Sequence, residues 1–171
     1  MSVLRIAVLG HPILRRVADP IPVEAIQSPE VQGLIQDMLE TMADYQGAGL
    51  AAPQVHASVR LVICMMENGL RILINPVLTP LSDETTSSYE GCLSVPGMRA
   101  KVERWRTIRL EGFDHQGNPI DETLEDWNAT VAQHECDHLD GVIYIDRCDT
   151  KTLAFEEPFG KYGPLDAQEE E

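Results

Sequence analysis

The sequence predicts an α+β fold: a single domain with small antiparallel or mixed sheets packed around a central helix that carries a His-Glu-x-x-His motif. Three observations predict it. One segment in the first third has strong helical periodicity. A series of short strand-like runs follows, separated by turn residues. A second helical segment then carries the paired histidines. The 171 residues suffice for one self-supporting core, and no repeat or linker divides them. Residues 1–171 therefore read as one domain, with a flexible acidic tail over about 160–171.

The first helix is expected in "SPEVQGLIQDMLETMADYQG". Ser28 suits its cap and Pro29 its first position. Val31, Leu34, Ile35, Met38, Leu39 and Met42 fall on one face, and Gly47 is placed to end it. "GAGLAAPQ" (47–54) reads as a tight loop of small residues. "VRLVICMM" and "LRILINPVL" around "ENG" read as a hairpin. "TPLSDETTSS" reads as a loop, and "YEGCLSVPG" as a short extended segment between turns. "KVERWRTIRLEGFD" alternates like one or two strands, and "HQGNP" is a turn. The second helix is predicted from Leu124 or Glu125 to His138, with Gly141 as a capping glycine and "VIYID" a short strand beyond it.

Composition excludes several function classes. Thirteen basic against 28 acidic residues leave a net charge of −15, the wrong sign for a duplex-binding surface, so direct nucleic-acid binding is not expected. The longest apolar runs are strand-sized, short of the ~20 residues that cross a membrane. "MSVLRIAVLGHP" lacks a small-residue cleavage pattern, so no secretory signal is expected. Cys64, Cys92, Cys136 and Cys148 form no C-x-x-C pair, which favours free thiols and a cytosolic setting.

The chemistry concentrates in "QHECDHLDG" (133–141). On a helix, His134 and His138 are separated by about 400° of rotation and ~6 Å of rise, so both imidazoles leave one face and can hold one ion. Trp127 and Val131 share that stripe, and the face is expected to point inward. Glu135 stands beside the first histidine, where a carboxylate handles protons rather than binding the ion. Three fixed positions are a weak pattern alone, and a third ligand is the test. Extended zinc proteases continue H-x-x-G-x-x-H. Gly141 fits that continuation, but Tyr144 stands where its last histidine belongs. Asp146, Asp149, Glu156 and Glu157 are the acidic alternatives downstream. Upstream, Cys92 in "EGCLSVP" completes a thiolate-plus-two-imidazole set with a fourth position open. A lone cysteine is more often buried packing.

Three stretches, "GAGLAAPQ" (47–54), "EGCLS" (90–94) and "HECDH" (134–138), resemble in order and spacing the three signature motifs of the peptide deformylases. The resemblance implies a hydrolase that removes the N-formyl group from the formyl-methionine of nascent chains and releases formate. It implies one divalent ion on Cys92, His134 and His138, Fe²⁺ in the cell with Zn²⁺, Ni²⁺ or Co²⁺ as substitutes. Metal-bound water would be the nucleophile and Glu135 the general base and acid. Gln54 and the Leu93 backbone N–H would be oxyanion donors, and Gly49 would lend backbone to the substrate. The methionine pocket should be apolar, with Val131 its chosen wall and Leu93 and Trp127 weaker candidates. Metal-bound histidines usually donate their second N–H, and Asp137 with Arg104 is the expected supporting pair.

The sequence also departs from the family pattern. Cys136 replaces a larger apolar residue and reads as packing on the helix flank. His56 stands where a glycine is common. The C-terminal "TKTLAFEEPFGKYGPLDAQEEE" is acidic and interrupted by proline and glycine. It cannot form the long, partly basic helix associated with ribosome docking, which leaves transient ribosome proximity without that helix. The setting implied is cytoplasmic, or an organelle after import and processing. The competing readings are a zincin-type endopeptidase, which needs a ligand beyond His138, and a metal-binding relic, which would require neither Glu135 nor Gln54.

Overall fold

In a computed structural model describing residues 2–164, Ser28 caps the first helix as its sequence requires. Its hydroxyl accepts from the Val31 N–H at 3.3 Å, and Pro29 opens α1 (Pro29–Asp44). Ile35, Met38 and Met42 are buried along one stripe. The helix stops before Gly47, because Gln46 turns left-handed at φ 55° and the Gly47 N–H folds back onto the Met42 carbonyl.

The strands are β1 (Gly49–Ala51), β2 (Leu61–Met66), β3 (Gly69–Pro80), β4 (Thr85–Cys92), β5 (Val95–Trp105), β6 (Thr107–Phe113), β7 (Pro119–Glu125) and β8 (Ala154–Phe155). A five-stranded sheet runs β1-β2-β3-β6-β7 and a three-stranded sheet runs β4-β5-β8. Every pairing within them is antiparallel. The α+β architecture is therefore the one expected.

The expected hairpin forms between β2 and β3, with Met66 opposite Gly69. β2 alternates between two cores. Leu61 and Ile63 pack with α1, whereas Val62, Cys64 and Met66 pack with α2 (Asp126–Leu139). A strand covered on both faces reads as a continuous apolar run, which "LVICMM" does. A third cluster joins the small sheet, through Val95, Ala100 and Val102, to Leu14, Ile143 and Tyr144.

Four local expectations are corrected. "GAGLAAPQ" is not only a loop: its centre is edge strand β1, followed by a 3₁₀ turn over Ala52–Val55. "TPLSDETTSS" is mostly strand, since β3 runs to Pro80 and β4 begins at Thr85. "VIYID" contains a 3₁₀ turn, Tyr144–Asp146, because the Asp146 carboxylate accepts from the Ile143 N–H and draws the chain into a turn. The expected tail overlaps a short helix, α3 (Glu156–Tyr162), and its remainder over 165–171 lies outside the described residues. Among the described residues the C-terminal helix is the seven-residue α3.

Gly141 follows α2 at φ 73°, and an added Cβ would lie 2.8 Å from the Arg15 carbonyl carbon. The same junction is tied by the Ala18 N–H donating to the Leu139 carbonyl at 2.8 Å. Gly141→Ala should cost about 2–3 kcal/mol through backbone strain and this clash. Thermal denaturation should show a midpoint lowered by about 5–10 °C. An unchanged midpoint would refute the tight junction.

Candidate metal centre

The α2 helix places His134 and His138 one turn apart with ring centroids 5.3 Å from each other. Cys92 reaches them from the end of β4, where the register with β5 breaks. Gly91 faces Arg99, whereas Cys92 faces Val95. The Cys92 Sγ lies 3.3 Å from His138 Nε2, and one donor atom from each of Cys92, His134 and His138 lies within 4.8 Å of the others. Donors sharing a tetrahedral ion at ordinary metal–sulfur and metal–nitrogen lengths sit roughly 3.5 Å apart. The donor set and its spacing therefore fit a divalent ion.

The orientation of His134 is set from behind. Glu90 Oε2 lies 2.7 Å from its Nδ1. An ionised carboxylate only accepts, so Nδ1 carries the proton and Nε2 keeps its lone pair for a metal. Glu90 is itself gripped by Arg104, whose Nε and Nη2 each donate at 2.9 Å. Arg104 Nη1 donates to Asp137 at 2.5 Å, and Arg147 grips Asp137 through two further bonds of 2.7 and 2.8 Å. Burial alone would raise the Glu90 carboxyl, but the hydrogen bonds from Arg104 and His134 outweigh it and bring it down to about 2. The expected Asp137–Arg104 pair is present, but it reaches the histidine only through Glu90, a residue inside the "EGCLS" stretch whose own role the sequence reading passed over. His138 differs: its Nδ1 is buried without a partner among the described residues.

Glu135 occupies a contrasting environment. It is 5% exposed, its Oε2 has no hydrogen-bond partner among the described residues, and burial pushes its carboxyl up to about 7. Gly49 makes room for it: a Cβ at that position would lie 2.6 Å from the Glu135 carboxyl carbon. The glycine thus has a steric role beyond the backbone role expected of it. Gln54 is 2% exposed and its amide is held at both ends. Its Oε1 accepts from the Ala51 N–H at 2.8 Å. Its Nε2 points at Cys92 Sγ (3.4 Å) and Ser94 Oγ (3.2 Å).

A groove of about 600 Å³ opens over these groups, lined in part by Gly49, Leu93, Val131, Trp127, Met98 and Arg99. Val131 is buried beside the histidines, as expected. Trp127 is not inward: it is 46% exposed in the first turn of α2, where it lines the groove. Tyr144 lies against the His134 ring, centroids 6.1 Å apart at 20°, and its hydroxyl has no partner among the described residues. Asp146 is engaged by Arg15 and Glu156 by Arg99. Cys136 is buried and outside the donor set. His56 adopts φ 67°, the left-handed conformation that suits a glycine.

A sequence model of the polypeptide deformylase family matches residues 3–154. The chain belongs to the polypeptide deformylase family. Among individual deformylases, peptide deformylase 1 of Bordetella pertussis is 49% identical over 149 residues, covering 81% of this chain and 84% of its own. The crystal structure of peptide deformylase from Thermotoga maritima superposes with a TM-score of 0.81 at 39% identity, covering 86% of this chain and 98% of that one. The Met-Ala-Ser-bound class I type b peptide deformylase from Acinetobacter baumannii gives 0.80 at 32% identity, covering 85% and 98%.

Arg104→Met should leave the buried Glu90 carboxylate without its guanidinium partner, with Asp137 still held by Arg147, and destabilise the fold by about 3–5 kcal/mol. It should also weaken metal retention about 10- to 100-fold by freeing the His134 ring. Thermal denaturation and chelator competition measure the two effects. Wild-type metal retention in a folded variant would contradict the supporting role.

Proposed function

We propose that this chain is a metal-dependent hydrolase that removes the N-formyl group from N-terminal formyl-methionine and releases formate. The observation that carries the reading is the convergence of Cys92, His134 and His138 beside Glu135 and Gln54, in a chain of the deformylase family. The Acinetobacter baumannii relative with Met-Ala-Ser bound supports a groove that takes peptides beginning with methionine. Residues 1–171 serve as one catalytic domain in this reading.

Cys92, His134 and His138 hold the divalent ion, whose chemistry when bound is to polarise the attacking water and lower its pKa toward neutrality. The family resemblance implies Fe²⁺ in the cell, with Zn²⁺, Ni²⁺ and Co²⁺ as substitutes, a choice that metal availability rather than the donor set decides. Glu135, raised to about 7, both accepts and returns a proton near neutral pH: it takes the proton of the water and delivers it to the departing amine. Gln54 Nε2 and the Leu93 N–H donate to the formyl oxygen as negative charge develops there. One preorganised donor of this kind is worth about 3 kcal/mol of barrier. Gly49 lends backbone to the peptide, and Val131 walls the methionine pocket. No described helix is long and apolar enough to cross a membrane. The proposed setting is the cytoplasm, near ribosomes releasing formylated chains.

Purified anaerobically, the protein should contain iron and release formate from formyl-Met-Ala-Ser. Absence of formate would overturn the reading. Glu135→Gln should keep the metal and lose about 10²- to 10⁴-fold in turnover, the range of general acid–base catalysis. Retained turnover would remove Glu135 from the mechanism. Cys92→Ser should surrender the metal to a chelator that leaves the wild type loaded, and equal resistance would exclude Cys92 as a ligand.

A further inference from the structure

The outer wall of the groove carries an ion pair that the chemistry above leaves unused. β8 pairs with β5, with Ala154 opposite Arg99 and Phe155 opposite Met98. That pairing delivers α3 to the groove and sets Glu156 beside Arg99, with Oε1 3.2 Å from Nη2. The Arg99 guanidinium carbon also lies 5.2 Å over the Phe159 ring, which in turn packs 4.8 Å from Tyr89. Arg99 is the one Lys or Arg among the described residues lining this groove. The other charges there are Glu90, Glu135 and Glu156. Glu90 is committed to Arg104 and His134. An entering peptide thus meets a single cation already taken by a carboxylate.

We propose that Glu156 is a specificity-determining residue that acts by neutralising Arg99, so that the groove disfavours acidic side chains after formyl-methionine and accepts neutral or basic ones. The inference rests on the deformylase reading and names the peptides it prefers. The pair is accessible to a competitor, since the Arg99 and Glu156 side chains are 35% and 54% exposed. A substrate carboxylate must displace Glu156 to reach Arg99, whereas a substrate lysine finds the Glu156 carboxylate within the wall. An exposed pair of this kind is weak and screened by salt, so it tunes selectivity rather than holding the fold.

The test uses metal-loaded enzyme and formyl-Met peptides with Asp, Ala or Lys at the second or third position, read by formate release. The wild type should rank Lys above Ala above Asp in kcat/KM. In E156Q, the Asp-to-Ala ratio of kcat/KM should rise about three- to fivefold, the effect of one exposed ion pair, and the change should sit in KM. About 1 M salt should abolish that rise. E156D should keep the wild-type ratio, and F159L, which disturbs the aromatic seat without changing charge, should keep it too. A ratio unmoved in E156Q, equal loss on Asp and Ala peptides, or the same ratio change in F159L would each overturn the proposal. No formate from the Ala peptide with wild-type enzyme would instead overturn the deformylase reading itself.

Discussion

The buried ion network of Glu90, Arg104 and Asp137 ties together everything the site requires. Its members come from β4, β5 and α2, so it forms only when the small sheet and the helix are docked. Arg104 retains 3% side-chain exposure. A cation that deep must be paired, because an uncompensated buried charge costs several kcal/mol. Well-packed apolar residues could join the same elements equally well. They could not accept a proton-bearing nitrogen from His134. The network is therefore explained by what it does for the imidazole: it fixes the tautomer and ring plane, and leaves Nε2 toward Cys92 and His138.

Two buried carboxylates beside the same histidine illustrate how partners decide chemistry. Glu90 receives three N–H donors from Arg104 and His134 and stays charged far below neutral pH. Glu135 has an oxygen with no donor at all, so burial dominates and its carboxyl rises to about 7. One group is a fixed charge and the other can gain or lose a proton near neutral pH. The division follows from the partners each carboxylate has, since both side chains are almost wholly buried. Gly49 belongs to the same arrangement, because only a residue without a side chain leaves Glu135 its space.

Much of this was legible in the residues. Periodicity revealed α1 and the hairpin, the histidine spacing and the capping glycine marked α2, and motif order brought Cys92 to the histidines. What stayed hidden has physical causes. The three residues of β1, Gly49, Leu50 and Ala51, are too few to carry a strand signal. The polar "TTSSYEGC" of β4 lacks alternation of apolar residues, because much of its surface faces solvent. Glu90 was legible in principle. A ligating histidine needs an acceptor for its second nitrogen, and residues 90 and 92 share a strand face by the period of two. The exposure of Trp127 was not legible, since helical spacing says which residues share a stripe but not where the covering sheet ends.

The α2 helix shows why a single-stripe reading misses a site built this way. Ala129, Ala132 and Leu139 pack into the core under the five-stranded sheet, and two small residues let the helix come close. Val131, His134, Glu135 and His138 form a second face over the groove or the metal position. Gln133 and Asp137 form a third, toward the small sheet. There the Gln133 amide accepts from the Trp105 N–H at 3.0 Å and donates to the Trp105 carbonyl at 2.8 Å, as a neighbouring strand would. Ten of the fourteen residues are buried, many of them polar. A helix so enclosed cannot advertise itself by one apolar stripe. Its polar positions are tolerable only because each face supplies partners, and the clearest exception among the described residues, the Oε2 of Glu135, is the group the proposed proton chemistry uses.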